Sequence, residues 1–424
     1  MKVRYVYSAC VVIETEDLTV GCDPWFTPGI FDGSWCQYPP LPRDPIDVIG
    51  KVDVLYISHI HPDHYDIRFL RSYLGRYPDT QIVIGETEPP YLLRKMRLDG
   101  LEPRVLDHGK FGETHLHIFA NHARAQEGGE AIDTALVVRR EDLSVVNLND
   151  NGFDPEQVKE ILAVCPGQRP TFALLPYSGA GPYPQTYAFE TETAFEEAMA
   201  RKKEQFLNLY SRYLRVLNPV KTMPFAGQYW LQGPLSALNG KRGISDATEA
   251  CHRHKEVSLV LADGGEAFID LKTLKASATR EKPYDSRVIQ SYLEALPFEG
   301  YDYEREICPI EERSIPLIAL VRSAYARAIK GSRAKKSFWL CLKPQALGTY
   351  LAFDVSQDQG VQVLEDVSHL TARCEIFIDD RYLFGLLTQL YHWNNAAIGS
   401  QYRSKRVPDE FKREVYSFLD HFHV

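Results

Sequence analysis

The chain lacks the two features that would place it in a membrane or in an oxidising compartment. No apolar run reaches membrane-spanning length. The eight cysteines are scattered, and no two are spaced as Cys-x-x-Cys, which argues against a disulfide framework and against a thiolate zinc site. Free cysteines are typical of a reducing cytoplasm, and the opening MKVRYVYSACVVIE is too short and polar for a signal peptide. We therefore expect a cytoplasmic protein.

An excess of basic residues is also missing. The net charge of −9 and the pI near 5.8 argue against a nucleic acid or an anionic membrane as partner. The composition, 44% hydrophobic and 25% charged, is that of an ordinary soluble globular protein. A length of 424 residues allows two or three domains. The expected partner is therefore a small-molecule substrate, and a homo-oligomer stays possible.

What the chain does have is a dense group of histidines. His59, His61 and His64 stand with Asp63 within six residues. A short, apolar, β-branched run precedes them, which predicts a buried strand, and a helical pattern follows them. The histidines should therefore occupy a loop at the carboxyl end of a strand, where open α/β sheets bind ligands.

This spacing predicts a metal site. Imidazole nitrogens and carboxylate oxygens suit zinc, iron or manganese, provided that they converge on one ion. In an extended turn His59 and His61 point the same way and can share a metal, while Asp63 and His64 face a second position. The alternative is a polar surface loop that happens to be rich in histidine, and four ligand side chains in one H-x-H-x-D-H string make that the weaker interpretation.

The H-x-H-x-D-H string resembles the signature of the metallo-β-lactamase fold superfamily. The resemblance implies an α/β fold of the αββα-sandwich type over residues 1–270, with one or two divalent metal ions, zinc or iron. It also implies further ligands from later strand ends, and on this basis we assign His122 to the first metal and Asp150 as the bridging carboxylate. Asp23 would accept a histidine N–H and orient the metal loop.

The residues themselves leave alternatives to these assignments. Asp23 and Asp150 both stand where an ordinary turn would also explain an aspartate. His108, in an Asp-His-Gly turn, is a weaker rival to His122. Two further histidines alternate along a predicted strand and are expected to be exposed: His115 and His117.

A substrate pocket is predicted from the segments around the later strand ends. Residues 27–45 are rich in glycine, proline and aromatics, which favours an ordered flap over the site. The strand at 171–176 ends in a loop rich in glycine and tyrosine, which permits close backbone approach and stacking. The predicted pocket residues are Trp25, Tyr177, Tyr183, Gln228 and Tyr229.

One strand end departs from the superfamily pattern. The segment 221–229 stands where a last histidine is usual, but it contains none, and Gln228 is a poor metal ligand. His392 is a possible replacement. This departure, with Asp23-Pro24-Trp25 and His392-Trp393-Asn394-Asn395, resembles the branch of CMP-N-acetylneuraminate hydroxylase, lactonases and phospholipase-D-like enzymes. The hydroxylase holds a Rieske cluster through Cys-x-His and Cys-x-x-His, and this chain does not contain both motifs.

The remaining chain predicts a second folded unit. Residues 271–312 are charged and punctuated by proline, which indicates a connector with one helix. Residues 313–424 show a helix, four strands and further helices, an α+β succession that resembles a sterol-carrier-protein-2 module. Such a domain could bind an apolar ligand, cover the site or form a dimer interface; fold-level analogy decides little among these roles.

Three functions are open from the residues. The first is a metal-dependent hydrolase of a small ester, lactone, amide or phosphodiester. In it Asp63 would accept a proton, and His64 or a second metal would hold the leaving oxygen. The second is a non-haem (di)iron oxygenase with an external reductase, and the third is a ligand-binding protein with a vestigial metal site. We favour hydrolysis because it needs no reductant.

Overall fold

The structure is a computed structural model, and it describes residues 1–122, 132–307, 315–331 and 336–424. Its strands in chain order are β1 (Lys2–Tyr7), β2 (Cys10–Glu14), β3 (Thr19–Cys22), β4 (Trp35–Cys36), β5 (Val54–Tyr56), β6 (Gln81–Ile84), β7 (Arg104–Val105), β8 (His108–Phe111), β9 (Thr114–Ala120), β10 (Thr134–Arg140), β11 (Leu143–Asn147), β12 (Phe172–Pro176), β13 (Lys221–Phe225), β14 (Trp230–Leu231), β15 (Phe268–Asp270), β16 (Lys275–Ala276), β17 (Trp339–Pro344), β18 (Tyr350–Asp354), β19 (Gln362–Leu364), β20 (Arg373–Ile378) and β21 (Arg403–Val407). Its α-helices are α1 (Ile30–Gly33), α2 (Pro45–Ile49), α3 (Ile67–Arg76), α4 (Tyr91–Leu98), α5 (Pro155–Ala163), α6 (Glu192–Leu217), α7 (Ala247–His252), α8 (Ser286–Ala295), α9 (Asp302–Glu306), α10 (Leu317–Gly331), α11 (Asp380–Leu387), α12 (Trp393–Ile398) and α13 (Arg413–Leu419).

Two sheets form the N-terminal part of the molecule. The first has the order β16-β15-β1-β2-β3-β5-β6-β7 and the second the order β13-β12-β11-β10-β9-β8. Their inner faces share one apolar core, to which Val11 and Val20 contribute from the first sheet and Leu136 from the second. Helices α3 and α4 cover the outer face of the first sheet, and α5 and α6 pack on the second. The predicted αββα sandwich is confirmed.

The parallel strand pairs place the loops that carry Asp23, the histidine-rich segment and Asp150 at one edge of the sheets. β3 runs parallel to β5, with Cys22 opposite Tyr56, and β11, β12 and β13 are parallel neighbours in the second sheet. Carboxyl ends of parallel strands open onto the same edge of a sheet. The segments that follow β3, β5, β11, β12 and β13 therefore meet there.

Two details of the strand prediction are wrong. The alternating pattern of residues 3–21 predicts two strands joined at residues 14–17, but residues 3–14 already form a hairpin of β1 and β2 that turns at Ser8, whose φ is +47°. The unbroken apolar pattern gives no indication of this turn. Residues 258–262 and 266–270 are also predicted to form a hairpin, but β15 pairs with β1 and β16 instead.

The C-terminal part has its own sheet and core. The sheet order is β19-β18-β17-β20-β21, and α10 to α13 pack with it around residues such as Leu340, Phe353 and Phe418. Tyr301 and Tyr303 join this core, whereas α8 packs beside Cys36 of the N-terminal part. Residue 313, the predicted start of the domain, lies outside the described residues. The division at 270 and 313 and the likeness to sterol carrier protein 2 stay predictions.

The C-terminal part of the molecule is hydrogen-bonded to the segment at 29–36 of the N-terminal part. The hydroxyl of Tyr382 donates to Oδ2 of Asp32 at 2.5 Å. Nε2 of Gln401 donates to the carbonyl oxygens of Phe31 and Asp32 at 3.3 and 3.0 Å. Phe31 and Asp32 both have positive φ, 53° and 61°, a conformation rarely adopted by residues other than glycine. We infer that these contacts help to hold that unusual turn.

The cysteines and helices of the described chain add two observations. All seven cysteines among the described residues are free. Burial raises the pKa of Cys36 and Cys341 to about 12, which keeps these thiols protonated and unreactive at neutral pH. No described helix has both the length and the apolar character needed to cross a bilayer.

The contact between Asp32 and Tyr382 predicts a dependence of stability on pH. Burial raises the pKa of Asp32 to about 7, above the value of about 4 in an unfolded chain. The folded state therefore holds a proton that the unfolded state releases, so this group's contribution to stability is lost as pH rises from about 4 to about 7. A pKa difference of about three corresponds to about 4 kcal/mol, so relative to Asp32→Asn the wild type should lose roughly 2 to 3 kcal/mol of stability between pH 5 and pH 8.

The measurement is chemical denaturation of both proteins at pH 5 and pH 8. Asp79→Asn, at an exposed carboxylate paired only with Lys51 at 3.7 Å, is the matched control and should track the wild type. An equal difference between wild type and Asp32→Asn at both pH values would contradict the assignment.

Candidate metal centre

The histidine-rich segment forms a tight loop between β5 and α3. The backbone N–H groups of His64 and Tyr65 both donate to the carbonyl oxygen of His61, at 3.0 and 2.8 Å. Asp66 then caps α3 by accepting the backbone N–H of Phe69 at 3.0 Å. His59 and His64 are buried, while His61 and Asp63 are half-buried. The predicted strand, loop and helix are all present.

The ring nitrogens of this loop approach one another in two groups. Nε2 of His59 lies 2.9 Å from Nδ1 of His61. Nε2 of His64 lies 3.3 Å from Oδ2 of Asp63 and 3.7 Å from Oδ1 of Asp150. The rings of His59 and His64 are adjacent, with centroids 4.0 Å apart. The structure therefore brings together five of the residues that the sequence nominated.

Asp23 lies beneath this group and is completely buried. Oδ1 accepts the backbone N–H of Ser58 at 2.8 Å, and Oδ2 accepts the Ser58 hydroxyl at 2.7 Å and Nδ1 of His64 at 3.1 Å. The side-chain amide of Asn149 also donates to Oδ2. Because Nδ1 of His64 is held by Asp23, Nε2 points toward Asp63 and Asp150.

Charge is distributed unevenly among these groups. Burial by itself lowers the pKa of His64, but the carboxylates of Asp63, Asp150 and Asp23 outweigh it and raise that pKa well above its usual value. His64 in turn lowers the pKa of Asp63 against the effect of burial. Burial and the neighbouring His64 lower the pKa of His59 to about 4. Three carboxylates thus surround this imidazole and favour positive charge at the centre, which a bound metal cation would also supply.

The residues fit a divalent metal ion. Oδ1 of Asp150 is buried and has no hydrogen-bond partner among the described residues, and the buried Nε2 of His64 lies 3.3 Å from Oδ2 of Asp63 and 3.7 Å from Oδ1 of Asp150. Ligand atoms of His59, His64 and Asp150 all lie within 4.8 Å of one another. Neutral imidazole and carboxylate donors suit zinc, iron and manganese, so an ion would satisfy a polar atom that is otherwise unpaired.

Two predicted ligands, His122 and His392, do not belong to this compact group of ligand atoms. His122 is exposed and follows β9 directly, just before residues that the structure does not describe. It belongs to neither of the compact ligand groups formed by the described residues, and its role stays a prediction. His392 is also exposed, and its Nδ1 accepts the backbone N–H of Asn394 at 3.2 Å, as the N-cap of α12.

A second histidine group lies on β8 and β9. His108 is predicted to lie in a turn but is on β8. Its imidazole ring stacks with those of His115 and His117, at interplanar angles of 15° and 26°. Lone pairs of stacked imidazoles lie in nearly parallel planes, so they converge poorly on one ion. Lys110 and Arg139 add positive charge beside His115. This group fits a metal less well than the first.

An aromatic wall stands beside the metal loop. It consists of Tyr7, Trp25, Phe31, Trp35 and Tyr229. Phe31 lies 6.4 Å from the ring of His61 and 4.4 Å from that of Trp35. Tyr229 stacks on Trp35 with centroids 3.6 Å apart. The aromatics of the segment 27–45 therefore pack beside the site, as an ordered flap would.

Asp66 connects this wall to the metal loop. Besides capping α3, it accepts the backbone N–H groups of Phe26 and Thr27 at 3.0 and 2.7 Å. Nε1 of Trp25 donates to the carbonyl oxygen of Thr27 at 2.8 Å. One carboxylate thus sets the position of both segments.

The other predicted pocket residues divide between two places. Tyr177 is buried at the end of β12, and Nε2 of Gln228 donates to the carbonyl oxygen of Tyr38 at 2.7 Å. Tyr183 faces the C-terminal domain, where its hydroxyl donates to Asp409 at 3.2 Å and the guanidinium of Arg406 lies over its ring. The side chain of Tyr183 therefore contacts the C-terminal part, and its ring also packs on Tyr187 and Phe189.

Sequence reasoning missed several residues that shape the site. Ser58 contacts Asp23, His59 and His64 through one hydroxyl; its place directly before the motif was an available signal. Asn149 bonds to Asp23 from a backbone position with φ of +61°. That contact joins residues 126 positions apart, so no local sequence pattern could predict it.

Asp23→Asn tests the support beneath the site. The amide keeps the size of the side chain but replaces an acceptor of several donors with a group that also donates. Loss of such a supporting contact typically lowers metal affinity by about 10- to 100-fold, and we expect a fall in that range. Competition with a chelator of known affinity measures it, with Asp53→Asn, at an exposed carboxylate, as control. Equal affinity in wild type and Asp23→Asn would refute the role of Asp23.

Comparison with known proteins gives a consistent picture of the N-terminal part. Residues 2–162 match the model of the beta-lactamase superfamily domain. A putative Rieske 2Fe-2S iron-sulfur protein of Mycolicibacterium smegmatis is 30% identical over 254 residues, 57% of this chain and 47% of the relative. The cytidine monophosphate-N-acetylneuraminic acid hydroxylase of Asterias rubens is 33% identical over 114 residues, 27% of this chain and 17% of the relative.

Solved structures similar to the chain include an isothiocyanate hydrolase from Delia radicum gut bacteria. It is 16% identical, with a TM-score of 0.43, and the match covers 64% of this chain and 99% of that one. The chain spans about half or less of the length of the curated relatives that it matches. The family match covers Asp23, the metal loop and Asp150. Residues 2–162 are therefore similar to a beta-lactamase superfamily domain, and the two-sheet N-terminal part of the chain has the metallo-β-lactamase fold.

Proposed function

We propose that the protein is a metal-dependent hydrolase of a small ester, lactone, amide or phosphodiester. The observation that carries the proposal is that ligand atoms of His59, His64 and Asp150 lie within 4.8 Å of one another, with Oδ1 of Asp150 buried and unpaired among the described residues. His61 and Asp63 complete the proposed ligand set from the same loop, and His122 is proposed as a further ligand. We assign residues 1–270 to this metal-binding domain and 313–424 to an accessory domain, joined by 271–312.

A bound divalent ion would supply a water molecule whose pKa is close to neutral. Residues of the chain would accept the proton from this water and position the groups around the reacting atoms. Oδ2 of Asp63 faces the centre and would accept the proton. His64, whose Nδ1 is held by Asp23, would present Nε2 to the centre as a neutral metal ligand. The aromatic wall would exclude bulk water, which strengthens such electrostatic interactions.

The accessory domain has a proposed structural role. Its contacts to Phe31 and Asp32 hold the turn from which Phe31 reaches the ring of His61. We propose that it keeps the aromatic wall in place.

An iron oxygenase with an external electron donor is the second candidate. It is favoured by the similarity to proteins described as a Rieske iron–sulfur protein and a hydroxylase, and by the absence of a histidine in 221–229. Imidazole and carboxylate ligation serves iron as well as zinc. The two candidates differ in the metal and in the need for dioxygen.

His59→Ala and His61→Ala test the metal assignment. Each removes a ligand from the loop, so the purified variant should retain less than about a tenth of the wild-type metal by elemental analysis while still folding. His252→Ala, at an exposed histidine on α7, is the control and should keep the wild-type content. Full metal in both loop variants would show that the site is elsewhere.

Oxygen uptake separates the two reactions. With zinc bound, we expect turnover of ester or phosphodiester substrates without oxygen consumption. Iron in the purified protein together with reductant-dependent oxygen uptake, lost in His59→Ala, would favour the oxygenase and contradict hydrolysis.

A further inference from the structure

Beside the aromatic wall lies an arginine whose charge no described carboxylate neutralises. Arg242 is only 3% exposed. Nη1 donates to the carbonyl oxygen of Tyr229 at 2.7 Å and Nε donates to that of Asn239 at 3.1 Å. Within the described part of the chain, no carboxylate oxygen comes within 4 Å of the guanidinium. The contrast is Arg280 on a nearby segment, which is paired with Asp246 at 2.9 Å.

A second basic side chain, that of the half-buried Lys202, lies on α6, the helix that packs against the residue after Arg242. Nζ of Lys202 on α6 donates to the carbonyl oxygen of Tyr183 at 2.8 Å, and it also has no carboxylate within 4 Å among the described residues. Burial and the charge of Arg242 lower the pKa of Lys202 to about 7. The backbones are in contact as well, because a Cβ on Gly243 would lie 2.9 Å from Cα of Met199 on α6.

Buried hydroxyl groups without partners occupy the same region. The hydroxyls of Ser178, Tyr229 and Ser245 are buried and have no hydrogen-bond partner among the described residues. Ser178 follows β12, and a Cβ on Gly227, in the loop after β13, would lie 2.7 Å from its Cβ. Unpaired buried hydroxyls are unfavourable, and here each can donate to a ligand.

Tyr229 connects these donors to the metal centre. One neighbour of its ring is Trp35, at 3.6 Å, and another is the guanidinium of Arg242, at 4.4 Å. Trp35 in turn lies 4.4 Å from the ring of Phe31, and the ring of Phe31 lies 6.4 Å from that of His61. A continuous series of ring contacts therefore joins Arg242 to the metal loop through Tyr229.

We propose that Arg242, Lys202 and the hydroxyl of Tyr229 bind an anionic group, a carboxylate or a phosphate, of the substrate. The inference rests on the proposed function, since it names the substrate class of the same centre. Arg supplies two parallel N–H donors suited to the paired oxygens of such a group, and Lys202 supplies a compact charge. The bound anion would neutralise the buried Arg242 and the half-buried Lys202, and the hydroxyl of Tyr229 would donate to it.

Binding of simple anions to the full-length protein tests the proposal. Inorganic phosphate and acetate are titrated at constant ionic strength, and binding is followed through calorimetry and through the fluorescence of the tryptophans, since Trp230 lies 5.0 Å from the Arg242 guanidinium. Saturable binding of at least one anion is expected, and the tighter one identifies the substrate group. Absence of saturable binding of both would overturn the proposal.

The variants are Lys202→Gln, Arg242→Gln and Arg242→Lys. Lys202→Gln and Arg242→Gln should weaken anion binding at least tenfold, and Arg242→Lys should restore part of it. Lys203→Gln, at the neighbouring residue whose Nζ pairs with Glu249, is the matched control and should bind as the wild type does. Lys202→Gln removes only one hydrogen bond, so it keeps the test valid if Arg242→Gln fails to fold.

Metal content measured on the same samples separates this proposal from the proposed function. Unchanged metal with weakened anion binding in Lys202→Gln supports the anion site. Anion binding that is lost in His59→Ala but unchanged in Lys202→Gln would place the anion at the metal and overturn the proposal. Retained anion binding in a protein that holds no metal would contradict the proposed hydrolase while leaving the anion site supported.

Discussion

The buried carboxylate of Asp23 is the constraint on which the candidate centre depends. A fully buried charge is tolerated only when hydrogen bonds satisfy it, and Asp23 meets that condition through Ser58, His64 and Asn149. These partners come from the end of β5, from the metal loop and from the end of β11. By satisfying one carboxylate, the fold therefore joins its two sheets at the edge where the ligands lie. The orientation of His64 follows from the same bonds.

The aromatic wall gives the C-terminal domain a physical connection to this centre. Phe31 lies in a left-handed turn whose carbonyl oxygen and neighbouring carboxylate are held by Gln401 and Tyr382. From that turn Phe31 reaches both His61 and Trp35. A domain that supplies none of the compact ligand groups among the described residues can in this way influence the surroundings of the metal. The same wall carries Tyr229, whose ring lies 4.4 Å from the guanidinium of Arg242, so it also links the metal loop to the residues of the proposed anion site.

The sequence pattern predicted the local structure correctly where a single segment contains all the residues that indicate it. The apolar run before His59, the four ligand residues in six positions and the helical pattern after Asp66 together predicted the strand, loop and helix correctly. Pattern failed at Ser8, because a turn between two buried strands leaves the apolar run unbroken. It also misjudged His108, since a His-Gly-Lys-Phe strand at a sheet edge has little of the β-branched character that marks strands.

The sequence by itself determined the class of chemistry, because imidazole and carboxylate at the spacing of H-x-H-x-D-H have few uses other than binding a metal. It also nominated Asp150 and Asp23, through resemblance to a family. Only the tertiary structure decided that Asp150 meets His64, that Asn149 supports Asp23, and that Arg242 and Lys202 lie on segments in contact, each without a described carboxylate partner. The physical reason is that these contacts join residues separated by 40 to 126 positions. They are created by strand order and sheet packing, which no short stretch of residues encodes.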